Sequence, residues 1–152
     1  MNTKSKQIAE SLNSILVKNI DAQNGFQRAI DHTENELLKA YFKSLAQGRK
    51  TFIEELKDEL TYYGESYEFS GTISEDIHLG WVDFKLLFTS NTDEAMLKEA
   101  IRGEETSLQE YKNILKSEKF PERTETLLQN QLDRIQTNLV QTQEIKNSII
   151  SS

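Results

Sequence analysis

Glu104 stands where an apolar residue belongs. Leu97, Ile101, Leu108, Tyr111 and Leu115 recur at helical spacing, and the stripe is continuous only if position 104 is part of it. A carboxylate there is a metal ligand, half of a buried ion pair, or an acid at the stripe's edge that reaches water along its stem. Three other segments carry the same kind of interruption. Asn19 falls among Ile8, Leu12, Ile15, Ala22, Phe26 and Ala29; Arg49 falls among Leu38, Phe42, Leu45, Phe52, Leu56, Leu60 and Tyr63; Gln131 falls among Leu128, Ile135, Leu139, Thr142, Ile145 and Ile149. Each lies near the middle of its segment, so antiparallel pairing brings all four to a similar depth and predicts a shared polar layer. Arg49, whose guanidinium is a planar fork of donors, is the expected partner of Glu104, with Asn19 or Gln131 adding hydrogen bonds. Arg102 lies on another face of Glu104's own helix. The competing arrangement has Arg49 and Glu104 each snorkelling to solvent.

Metal chemistry asks for a different set. Di-iron bundles use one Glu from each of two helices and a Glu-x-x-His pair from each of the other two. The two histidines here are His32, at a helix junction, and His78, in a long connection. The turns that look similar to the ligand pairs read Gln47-Gly48-Arg49-Lys50 and Gln131-Leu132-Asp133-Arg134. Neutral amides bind hard cations weakly, and adjacent Lys or Arg repels them. No metal, cofactor or catalytic residue is therefore expected; iron or manganese enters only under an alternative with an unconventional carboxylate set around Glu104.

Other candidates have simpler readings. His78, Trp81, Phe84 and Tyr111 form a possible ligand or packing cluster, but Ile77, Trp81, Phe84 and Phe88 at helical spacing are better explained by packing a connecting helix onto its bundle. His78 beside Glu75 and Asp76 fits a helix end or surface. Tyr62, Tyr63 and Tyr67 could form an aromatic contact surface. Glu54, Glu55, Asp58 and Glu59 read as a solvated helix face.

The elements that must position these residues are long helices. One proline and six glycines among 152 residues give little punctuation, and 36% hydrophobic with 28% charged residues fits one globular domain over 1–152. Thr33 with Glu36 predicts a capping box before the second helix, Gly64 its stop, Asn91 with Glu94 the opening of the third, and Pro121 the first turn of the fourth. Between the second and third lies a connection too long for a hairpin. It carries its own capping pair, Thr72 and Glu75. The expected fold is thus an all-α, ferritin-like four-helix bundle with one long B–C crossover bearing an extra short helix, and the second and third helices run parallel.

A net charge of −7 argues against nucleic acid, and no run of membrane-spanning or signal-peptide length occurs. Absent cysteine fits a reducing, cytoplasmic location. Ser70-Gly71-Thr72, the His78, Gly80, Trp81 group, Arg102-Gly103-Glu104 with Tyr111, and Gly25-Phe26 (usually Gly-Tyr) resemble an uncharacterised bacterial family of ferritin-like four-helix bundles, over nearly the whole chain. That resemblance implies the fold and brings no activity. The expected function is a non-enzymatic binding or stress-related bundle with an unknown protein or small-molecule partner and possible homo-oligomerisation. The alternatives are a metal-binding protein or oxidase built on Glu104, and a small-molecule binder beneath the crossover.

Overall fold

The computed structural model describes residues 3–65 and 93–151. Within them lie four helices: α1 (Thr3–His32), α2 (Glu36–Tyr62), α3 (Asp93–Ser117) and α4 (Glu122–Ser151). The architecture is an all-α four-helix bundle. Each helix forms because its apolar residues share one face and are buried there. Leu12, Leu16, Phe26, Phe42, Leu56, Leu97, Leu128 and Ile135 have no accessible surface.

The ends show how the helices are stopped and which way they run. In the turn between α1 and α2, Asn35 is the N-cap, its side chain accepting from the backbone N–H groups of Leu37 and Leu38 at 3.0 and 3.1 Å. Thr33, expected in that role, instead accepts from the Asn35 N–H at 3.2 Å and donates to Asp93 at 2.9 Å, across to the start of α3. The Thr33–Glu36 capping box is therefore corrected by two residues. Gly64 ends α2 as expected, at φ 77°, with the Glu65 N–H reaching back to the Leu60 carbonyl at 3.0 Å. The fourth helix begins at Glu122, and Pro121 precedes it with its carbonyl accepting from the Glu125 N–H at 2.9 Å.

The start of α3 lies beside the α1–α2 turn, whereas the end of α2 lies beside the start of α4, where the Tyr63 hydroxyl meets that of Thr124 at 2.5 Å. Lys4 near the start of α1 pairs with Glu118 past the end of α3, at 3.2 Å. Hence α2 and α3 are parallel, and the connection 66–92 joins opposite ends of a bundle about 40 Å long. Its expected features lie outside the described residues: the short helix, the Thr72–Glu75 cap, His78, and the Ile77, Trp81, Phe84, Phe88 stripe, as do Tyr67 and Asn91.

The core has two compartments. One gathers Ile8 to Ile20 of α1, Phe52 to Leu60 of α2, Leu108 and Tyr111 of α3, and Leu128 to Leu139 of α4. The other gathers Ala22 to Ile30, Leu38 to Ala46, and Met96 to Ala100, with Phe26 and Phe42 stacked at 6.4 Å between ring centroids. Asn19, Arg49 and Glu104 stand where one gives way to the other.

Candidate functional site

At that boundary the bundle interior is polar. Arg49 is 2% exposed and Glu104 is fully buried, and the Arg49 Nη2 donates to the Glu104 Oε1. The second guanidinium nitrogen, Nη1, donates to Asn19 Oδ1 at 2.7 Å. Asn19 Nδ2 donates in turn to the Tyr111 hydroxyl at 2.8 Å and to the Ile15 carbonyl one turn back at 2.9 Å. Tyr111 then donates to Gln131 Oε1 at 2.6 Å, and Gln131 Nε2 donates to Glu55 Oε1 at 3.0 Å and the Phe52 carbonyl at 3.4 Å. A single chain of hydrogen bonds thus runs Glu104, Arg49, Asn19, Tyr111, Gln131, Glu55 and engages all four helices. Gln131 meets the ion pair only through Asn19 and Tyr111.

Two effects oppose each other at Glu104. Burial raises its carboxyl above the usual range, while the charge and hydrogen bond of Arg49 pull it back. The net direction is upward, because the carboxylate is fully desolvated and its Oε2 has no hydrogen-bond partner among the described residues. Tyr111 moves the same way: burial holds its phenol protonated against the pull of Arg49 and Asn19. A protonated Tyr111 is what its donation to Gln131 requires.

The family model described as Domain of unknown function (DUF2383) matches residues 7–117. The chain belongs to this family. No curated protein matches it. In this DUF2383 chain the match takes in Asn19, Arg49, Glu55, Glu104 and Tyr111, and stops before α4 and Gln131. It covers less of the sequence than the resemblance implied.

The DUF2383 polar layer does not fit a di-metal centre. Its groups are the buried Glu104 carboxylate, two amides, a phenol and a guanidinium, with the Glu55 carboxylate at the exposed end, and the guanidinium already holds Glu104. No group of three His, Cys, Asp or Glu residues placed to hold a metal exists among the described residues. His32 is exposed, with Nδ1 2.9 Å from the Arg28 carbonyl. Of the His78, Trp81, Phe84, Tyr111 cluster, Tyr111 alone is described, and it belongs to the polar chain.

Sequence reasoning missed a second polar junction. Glu59, expected on a solvated face, is 4% exposed; it accepts from Thr124 at 2.7 Å and from Arg123 at 3.1 Å. Arg123 also lies 4.0 Å over the Tyr62 ring, which is itself 59% exposed. The signal was present. Extending the α4 stripe one step back from Leu128 reaches Thr124, a hydroxyl on a buried face that needs a partner. Asp21, Glu99 and Arg102 form a third charged group, where Arg102 donates to Glu99 and feels the charge of Asp21. Arg102 is thereby engaged away from Glu104.

Proposed function

We propose that this protein is a ferritin-like bundle in which a guanidinium takes the place that metal cations hold in di-iron relatives, and that it acts without catalysis, as a binding or stress-related protein of the cytoplasm. The observation that supports this is the buried Arg49–Glu104 pair, completed by Asn19. One long crossover, with α2 parallel to α3, agrees with the ferritin-like topology. A fixed cation inside the bundle neutralises the carboxylate without an exchangeable ion, and it repels any second cation.

The test is metal stoichiometry on protein purified without chelator. Substoichiometric iron, manganese and zinc, together with a melting temperature indifferent to added metal, is the expected result. A second reading, a metal-binding protein built on Glu104, draws on the unpartnered Oε2. It predicts one bound ion per chain, lost in Glu104→Gln.

A further inference from the structure

A groove between α2 and α4 encloses about 260 Å³, lined along α2 from Ser44 to Phe52 and along α4 by Arg134 and Asn138. Gly48 opens onto it. A methyl group built at Gly48 meets no atom within 4 Å, and position 48 has no positive φ that would call for glycine. Glycine inside a helix costs about 1 kcal/mol relative to alanine. At this position it is explained by neither backbone geometry nor a neighbouring side chain. What its missing side chain does is keep the groove open.

The lining has one sign of charge. This chain has 25 acidic residues, yet no carboxylate lines the groove. Of the carboxylates that follow or precede the lining in sequence, Asp133 is held by Gln129 at 3.0 Å and Glu55 by Gln131, and Glu54 is not among the lining residues. Arg49, Arg102 and Arg123 each hold a carboxylate, whereas Arg134 has no ion-pair or hydrogen-bond partner among the described residues. Thr51 turns its hydroxyl back to the Gln47 carbonyl at 3.2 Å, which leaves the hydroxyl of Ser44 and the amides of Gln47 and Asn138 as donors beside Arg134. Buried Leu45 and Phe52 supply an apolar floor.

We infer that the α2–α4 groove is a binding site for a compact molecule with an apolar body and one anionic group, a carboxylate or phosphate, its body over Gly48 on the Leu45–Phe52 floor and its anion on Arg134. An unpaired cation, neutral donors around it and an apolar wall are the usual composition of such a site. The volume suits an occupant the size of a substituted single ring.

Amide NMR titrations of the full chain with benzoate, phenyl phosphate and neutral benzyl alcohol test this. Saturable shifts confined to residues 44–52 and 134–138 are expected for at least one anion, and the tighter of the two identifies the headgroup. Arg134→Gln, at an exposed position, should weaken binding about tenfold with the melt unchanged. Gly48→Leu should fill the groove and remove binding. No saturable response to either anion, equal affinity for benzyl alcohol, or an Arg134→Gln protein that binds as before would overturn the proposal; the Arg134→Gln comparison stands even if Gly48→Leu folds poorly.

Discussion

Replacing Arg49 with alanine removes the one hydrogen-bond donor that Glu104 has among the described residues. With no accessible surface, the carboxylate cannot turn to water. Breaking a buried pair in this way costs about 3–5 kcal/mol, and the side-chain Oδ1 of Asn19, which accepts from Arg49, loses its donor as well, for about 1–3 kcal/mol. Against a domain stability of roughly 5–15 kcal/mol the protein should fold but melt far lower, about 2–4 °C per kcal/mol at this size. Glu104→Leu strands a guanidinium that still has Asn19, so its loss should be smaller. Arg49→Met combined with Glu104→Leu removes both charges together and should be neutral or more stable by about 1–4 kcal/mol. Urea denaturation followed by far-ultraviolet circular dichroism of the parent, Arg49→Met, Glu104→Leu and their combination gives all four corners of the cycle; Arg49→Met strands the carboxylate just as Arg49→Ala does. The expected signature is a coupling energy of at least about 2 kcal/mol, with the double variant more stable than either single one. Single losses below about 1 kcal/mol that simply add would refute the reasoning, because they would mean that both groups reach water.

Three further outcomes are expected. Because burial raises the folded-state value of Glu104 above its ordinary 4.5, this group contributes stability that is fully present below pH 4.5 and lost as pH rises through the folded value; the stability of the parent relative to Glu104→Gln, from denaturation at a series of pH values, should fall with rising pH over that window. Gly48→Ala places a methyl in open space within a helix and should stabilise the protein by about 0.5–1 kcal/mol, read as a higher melting temperature. Thr124→Val deletes the hydroxyl that meets both Glu59 and Tyr63 and should cost about 1–3 kcal/mol by urea denaturation, whereas Thr137→Val, on the exposed face of the same helix, should change stability by less than about 0.5 kcal/mol.

The helices were legible because each apolar stripe is long and regular. The residues assigned to the α1 stripe, and those assigned to α2 up to Leu60, are buried, and the length of the connection implied the parallel α2 and α3 that the contacts at the helix ends display. Polar interruptions in the stripes likewise marked Asn19, Arg49, Glu104 and Gln131, which the structure brings into one hydrogen-bonded chain. Less legible was the order of that chain. Tyr111 counted as an apolar stripe member, yet its hydroxyl is the link between Asn19 and Gln131, and a tyrosine's ring and its polar tip obey different rules. The capping residue at α2 was misplaced because Thr33 and Asn35 are both good caps. Asp93, distant in sequence, takes the Thr33 hydroxyl, and no local pattern contains that contact. Glu59 was misread for a similar reason: its neighbours Glu54, Glu55 and Asp58 are exposed, and Arg123 and Thr124 come from another helix.

The two-compartment core bears on how the chain finds its fold. Neighbouring helices α1 and α2, and α3 and α4, can form hairpins from local contacts, and the slow search is then for the alignment of one hairpin on the other. Leucine, isoleucine and alanine would tolerate many alignments almost equally. The polar boundary does not, since Asn19 and Arg49 come from one hairpin and Glu104 from the other. A slip of one helical turn, about 5.4 Å, would set the guanidinium against an aliphatic wall and leave the carboxylate alone in the opposite compartment. Misdocked forms therefore come apart quickly. Removing both charges should leave a protein that is at least as stable as the parent and slower or less uniform in its refolding, since the mismatch that rejects wrong alignments would be gone.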